Sequence, residues 1–235
     1  MTDLPDARLK SARLYGILDL GYTDPSQLVE MARRLTAPGG VDVLQLRAKG
    51  FSAAEVASFA VPILDVTRAA GVPLLINDHP EVAVAVDADG VHVGQDDAPI
   101  AAVRRLLGPH RIVGKSTHSL AQARAAFGEP VDYIGFGPIF ATPTKPEYRP
   151  IGQTEIATVQ TESPFPVFCI GGIKLENLDA VLGAGAQRVV IVSGLLLAED
   201  LGGYLREVRQ SLTRSDRNSG HCSPKVQPEP PQGGC

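Results

Sequence analysis

Polar and charged side chains recur at one place in the rhythm of this chain, at the ends of short apolar runs. The first run exits at Asp19, and the second through Gln45, Arg47 and Lys49. Asn77 and Asp78 follow the third run, and Gln95, Asp96 and Asp97 the fourth. Ser116, Thr117 and His118 come after the fifth, and Thr142, Thr144 and Lys145 after the sixth. Gly171-Gly172 closes the seventh and Val192-Ser193-Gly194 the eighth. The beginnings of the runs carry no comparable set.

Gln45 and Arg47 share the parity of Val41 and Val43, so period-two alternation places them on one face. Lys49 continues that parity if the chain stays extended. An arginine fork and a lysine point charge converging at one place suit a multiply charged anion. Asp78 and Asp97 leave neighbouring runs and can share a hard cation such as Mg²⁺, which takes one or two carboxylates plus phosphate oxygens and water. The plainer role for Asp78 is the N-cap of a helix entered through His79-Pro80. Thr142, Thr144 and Lys145 alternate with Pro143 and Pro146, a stiff loop able to grasp an anion. Gly171-Gly172 and Val192-Ser193-Gly194 each precede a helical stretch, where unpaired N–H groups bind phosphate. His92, inside the fourth run, reads as a hydrogen-bonded structural residue. For His118, orientation or helix-start bonding outranks acid–base work. No Cys/His cluster has zinc spacing and no Gly-x-Ser-x-Gly elbow occurs. The whole set suits two phosphorylated small molecules with Mg²⁺, and group transfer with diphosphate as leaving group.

The runs that must position these residues span 14–20, 41–47, 72–76, 90–93, 111–113, 131–136, 166–170 and 188–192. Most are nearly continuous in hydrophobicity, as strands buried on both faces are. Helical spacing fills the intervals at 26–35, 52–70, 99–107, 121–127, 176–182 and 204–212. Ser52 and Glu55 form a capping box, and Gly71 and Gly108 stand at helix ends. Eight strands alternating with helices predict an α/β fold, a single compact (β/α)₈ barrel at the small end of its class. No G-x-G-x-x-G follows the first run, against a dinucleotide-binding sheet. In such a barrel the active site lies at the C-terminal ends of the strands, where the polar residues fall.

Residues 1–213 form the expected barrel domain, and 214–235 the expected disordered tail. That tail holds four prolines, three glycines and one aliphatic residue, too little apolar surface to offset chain entropy. The formal charge of −4 argues against a nucleic-acid partner. No apolar run reaches the ~18 residues of a membrane span, and the first ten residues are too polar for a signal peptide. Three cysteines form no closed disulfide set, which fits a reducing compartment, the cytoplasm. Homo-oligomerisation is left open by the sequence.

The same residues resemble a known family. Leu14-Tyr15, Gln45-Leu-Arg-Ala-Lys49, Asn77-Asp78, Gly90-Val-His-Val-Gly-Gln-Asp-Asp97 and Gly114-Lys-Ser-Thr-His118 are similar to motifs of the thiamine-phosphate synthases. So are Asp132-Tyr-Ile-Gly-Phe-Gly-Pro, Thr142-Pro-Thr-Lys145, Ile170-Gly-Gly-Ile173 and Val192-Ser193, in order from about residue 14 to 200. The resemblance implies joining of a hydroxymethylpyrimidine diphosphate to a thiazole phosphate, a dissociative transferase reaction assisted by Mg²⁺. It implies that Gln45, Arg47, Lys49, Asn77, Ser116 and Lys145 bind the pyrimidine diphosphate. Arg47, Lys49, Ser116 and Lys145 would act in catalysis. It also implies that Asp78 and Asp97 hold Mg²⁺, and that Thr142, Thr144, Gly172, Val192 and Ser193 bind the thiazole phosphate. His79, Lys115 and Leu18-Asp19-Leu20 depart from the common family pattern. Two rivals follow: a related thiazole tautomerase, with His118 as the acid–base group, and a catalytically silent barrel that binds thiamine precursors as a regulator. The intact set Lys49, Asp78, Asp97 and Lys145 favours the synthase.

Overall fold

The computed structural model describes residues 7–142 and 149–219. Among them, eight strands close into a barrel in sequence order, every neighbouring pair parallel. The strands are β1 (Leu14–Asp19), β2 (Val43–Arg47), β3 (Leu74–Asn77), β4 (Gly90–Val93), β5 (Ile112–Thr117), β6 (Tyr133–Phe136), β7 (Val167–Cys169) and β8 (Val189–Ile191). Each overlaps one of the eight expected runs.

The helices are α1 (Ala7–Ser11), α2 (Leu28–Leu35), α3 (Ala53–Ala70), α4 (Pro80–Ala85), α5 (Ile100–Leu107), α6 (Leu120–Ala126), α7 (Ile156–Glu162), α8 (Leu175–Gly183), α9 (Ser193–Leu196) and α10 (Leu201–Ser219). Ser52 caps α3 in a capping box with Glu55, and Gly71 ends it in the left-handed region at φ 70°. The N-cap of α4 is His79 rather than Asp78, because Asp78 itself has φ 62°. An N-cap residue needs extended backbone, which that φ excludes.

Two apolar layers result. One lies between the barrel wall and the helices, built on residues such as Leu44, Leu46, Ile63, Val91 and Ile134. The other fills the barrel interior with Tyr15, Ile17, Val43, Leu75, Ile112, Tyr133, Phe168 and Val190, and Leu9 and Ala12 join it. Alternation along each strand assigns side chains to one layer or the other. Cys169, on the buried side of β7, has its thiol pushed up to about 12 by burial, as an inert apolar residue would.

The folded part runs further than composition suggests. α10 reaches Ser219, six residues beyond the expected boundary at 213. Arg214 lies 3.5 Å from Asp179 of α8 and donates to Ser211 Oγ at 2.7 Å, so local side-chain pairing extends the helix into a polar segment. The rest of the expected tail, 220–235, lies outside the described residues.

Candidate active site

The mouth at the C-terminal strand ends holds a cavity with an apolar wall of Ile17, Ile170, Ile173 and Val190. Gln45, Arg47, Asn77, Ser116, Thr142, Gly172, Val192 and Ser193, all expected to bind ligand, line this one cavity. Lys49, Asp78 and Asp97 are exposed on the loops after β2, β3 and β4 and are not among its lining residues. Thr144 and Lys145 lie outside the described residues.

Arg47, at the end of β2, donates from Nη1 to Asp19 Oδ2 at 2.8 Å. The Asp19 carboxylate is almost fully buried, and its Oδ1 accepts from the Gly21 N–H at 2.9 Å. A buried ion pair is weak evidence of stabilisation. Its placement at the mouth instead fixes the direction of the guanidinium. Asp19 is a polar strand exit in the sequence, but its pairing with Arg47 needs the β1–β2 register, which sets the two residues side by side.

Below the mouth, four hydrogen bonds cross the barrel interior. Gln45 Nε2 donates to Tyr15 Oη at 2.7 Å, and Tyr15 Oη lies 3.0 Å from Tyr133 Oη. Tyr133 Oη is 2.8 Å from His92 Nδ1, and His92 Nε2 is 2.9 Å from Ser116 Oγ. Burial pushes the phenol of Tyr15 far above its ordinary range, against weaker lowering by its hydrogen bonds to Tyr133 and Gln45. Burial does the same to Tyr133, helped by Tyr15 and Asp132. Glycines make room for these rings: a Cβ on Gly114 would sit 2.1 Å from Tyr133 Cζ. His92 is thus hydrogen-bonded, as expected, but it also lines the cavity. The aromatic members read in the sequence as ordinary core residues.

His118 Nδ1 lies 2.6 Å from the Gly137 carbonyl oxygen. A carbonyl only accepts, so Nδ1 carries the proton. The His118 N–H donates to Gln122 Oε1 at 2.7 Å. These contacts orient the ring and the chain entering α6, and His118 also lines the cavity.

On the far side, Gly171 and Gly172 have φ 99° and 64°. A Cβ on Gly172 would lie 2.7 Å from the Ala141 carbonyl oxygen, so only glycine lets the loop after β6 close over it. Asn177 holds this turn from below, donating to the Gly172 carbonyl at 2.9 Å and accepting from Lys174 N–H at 2.9 Å. Ser193 and Gly194 open α9, whose first N–H groups have no acceptor within the helix. Together these make a glycine-rich backbone cradle lining the same cavity as Arg47.

Among the described residues, no three His, Cys, Asp or Glu side chains cluster as a metal cage. The carboxylates at hand still fit Mg²⁺. Asp78 N–H donates to the His92 carbonyl at 2.9 Å, which anchors the left-handed turn beside β4. Asp97 uses Oδ2 to accept from Gly94 N–H at 2.6 Å, while its carboxylate stays exposed. Two exposed carboxylates at neighbouring strand exits are what a cation sharing phosphate oxygens and water requires.

A family model described as thiamine monophosphate synthase matches residues 14–195. The chain belongs to the thiamine monophosphate synthase family. It is 41% identical over 207 residues to the thiamine-phosphate synthase of Chloroflexus aurantiacus, covering 86% of this chain and 94% of that one. The corresponding protein of Halalkalibacterium halodurans is 40% identical over 196 residues, covering 83% and 92%. The solved thiamine phosphate pyrophosphorylase of Pyrococcus furiosus superposes with a TM-score of 0.80 at 30% identity, covering 89% of this chain and 99% of that structure. A solved 3-hexulose-6-phosphate synthase, at 18% identity and a TM-score of 0.63, shares the barrel fold. The family match spans all eight strands and the cavity they frame. Among the described residues no helix is long and apolar enough to cross a membrane.

Proposed function

We propose that this chain is a transferase of thiamine biosynthesis. It joins 4-amino-2-methyl-5-(diphosphooxymethyl)pyrimidine to a thiazole phosphate and releases thiamine phosphate and diphosphate. The observation that carries this reading is one cavity lined both by a cation and an amide, Arg47 and Gln45, and by a glycine-rich backbone, Gly172 and Ser193.

The pyrimidine diphosphate is assigned to Gln45, Arg47, Lys49, Asn77, Ser116 and Lys145. The thiazole phosphate is assigned to Thr142, Thr144, Gly172, Val192 and Ser193. The methylene–oxygen bond of the diphosphate breaks and the bonding pair leaves with diphosphate. The aminopyrimidine ring delocalises the resulting positive charge. The thiazole nitrogen then donates its lone pair to the methylene carbon. None of this needs an enzymic nucleophile; it needs alignment of two substrates and stabilisation of developing charge. Arg47 supplies a directed charge to the leaving group, with Lys49 and Lys145 as further cations. The apolar wall keeps water from the cation. Asp78 and Asp97 would hold Mg²⁺, which when bound neutralises charge on the departing diphosphate.

We further place the chain in the cytoplasm, supported by the odd cysteine count and the inert, buried Cys169. Replacing Asp97 by Ala is expected to abolish turnover while leaving the circular dichroism spectrum and thermal transition unchanged. Full rates in that variant, or in the presence of a chelator, contradict the metal assignment.

A further inference from the structure

The four hydrogen bonds below the cavity form a chain whose two ends, Gln45 and Ser116, both line it. Starting from the Gln45 amide nitrogen, one direction leaves every donor in the chain with an acceptor. An amide nitrogen donates and does not accept, so Tyr15 Oη accepts a hydrogen bond from Gln45. Tyr15 has one hydrogen of its own, and it goes to Tyr133 Oη. Tyr133 then spends its hydrogen on His92 Nδ1, which must be unprotonated to accept it. The neutral imidazole carries its proton on Nε2 and donates to Ser116 Oγ. Ser116 therefore keeps its own hydroxyl hydrogen for the cavity. At the other end, the Gln45 amide oxygen accepts no hydrogen bond among the described residues and is left for the ligand.

We propose that Tyr15, Tyr133 and His92 are specificity-determining positioning residues. Through this chain they make Ser116 a donor and the Gln45 oxygen an acceptor toward the cavity, and so select a ring bearing an amino group and an unprotonated ring nitrogen over its oxo counterpart. This inference rests on the pyrimidine reading above. The amino group donates to Gln45 and the ring nitrogen accepts from Ser116. An oxo group in place of the amine puts two acceptors, carbonyl and Gln45 oxygen, head to head. Meeting it requires the amide to turn, which reverses the chain and removes the donor at Ser116.

Several features hold the chain as a unit. Tyr15 and Tyr133 are fully buried, and burial keeps both phenols protonated across the whole working pH range. The Tyr133 and His92 rings stack with centroids 5.5 Å apart and planes at 29°. Gly114, on β5, leaves the space in which the Tyr133 ring lies. In such a buried network each link fixes the next, so cutting the middle frees both ends.

The test compares the aminopyrimidine diphosphate with its 4-oxo analogue in wild type and in Tyr133→Phe, using kcat/KM for each. Wild type is expected to favour the amino form about 10⁴-fold or more, the range for analogues that leave a buried polar group unpaired. In Tyr133→Phe the preference is expected to fall at least about tenfold, with KM for the thiazole phosphate unchanged. A preference unaltered in the variant, or equal losses for both pyrimidines, overturns the proposal while the synthase reading stands. No thiamine phosphate from wild type with the natural pair overturns both. A second measurement covers a variant that does not fold. The ¹⁵N spectrum of wild-type His92 is expected to show Nε2 protonated and Nδ1 bare, and the opposite tautomer overturns the direction of the chain.

Discussion

Asp19 shows how a single buried carboxylate can serve chemistry it does not perform. It is bonded to Arg47 Nη1 and to Gly21 N–H, and only 1% of its surface is exposed. Asn in its place keeps an acceptor but loses the charge that aims the guanidinium. Asp19→Asn is expected to raise KM for the pyrimidine diphosphate about tenfold, the loss of one charge-assisted hydrogen bond of about 1.5 kcal/mol. KM for the thiazole phosphate should not move, because the hydrogen bonds of Asp19 go to Arg47 and Gly21 and not to the glycine cradle. Equal changes in both constants would show a general loss of shape instead. At this scale the sequence reveals residues whose polarity breaks an apolar pattern: Gln45, Arg47, Asn77 and Ser116 stand out by type and parity. Tyr15 and Tyr133 do not, because an aromatic ring inside an apolar run has the same signature whether or not its hydroxyl is bonded. Asp78 carries a conflict that sequence alone leaves open, and the backbone resolves it with a positive φ where a cap would need extended geometry.

Elements were readable to the extent that each has one apolar character along its length. The limits of β4 can be read directly, since Gly90–Val93 lies between Asp89 and Gly94-Gln95. β5 continues four residues past its apolar run, to Thr117, because Lys115 points to the helix layer and is neutralised by Glu129 at 2.6 Å. Such a strand looks shorter than it is. α10 likewise runs past its apolar stripe, and its attachment to the barrel is polar. Arg209 donates to both oxygens of Asp42, at 2.9 and 2.7 Å, and Asp42 also accepts from the N–H groups of Arg13 and Leu14. Burial pushes the Asp42 carboxyl up, but the Arg209 guanidinium and the two backbone N–H groups together hold it below the usual carboxylate range. Its folded pKa is thus lower than its unfolded one. The stabilisation is complete above the unfolded value, ~3.9, and is lost as pH falls through the folded value. Asp42→Asn is expected to lower unfolding stability by about 2 kcal/mol at pH 7. Urea denaturation at pH 7 and pH 3 should show the gap between variant and wild type closing in acid. A gap that persists or grows at pH 3 would contradict this linkage.

At the scale of the molecule, the two ends of the barrel divide the work. The strand-entry end is closed by charged pairs such as Arg104–Asp132 at 2.6 Å and Arg8–Asp89 at 2.8 Å, each side chain matched to a partner. The strand-exit end gathers Gln45, Arg47, Asn77 and Ser116 around open space, with glycine turns opposite. Polarity alone shows only half of that division, because Asp42, Asp89 and Asp132 stand just before β2, β4 and β6 while Gln45, Arg47, Asn77 and Ser116 stand at strand exits. It cannot reveal which of those residues share a cavity, because Lys49, Asp78 and Asp97 follow the same rule yet stand outside its lining. The central claim is that this mouth joins two phosphorylated rings with loss of diphosphate. The direct measurement is to incubate the pure chain with the aminopyrimidine diphosphate, the thiazole phosphate and Mg²⁺, and to quantify both products with time. The account predicts thiamine phosphate and diphosphate appearing in equal amounts, only when both substrates are present. Absence of thiamine phosphate at high protein concentration, or diphosphate released without it, would contradict the account.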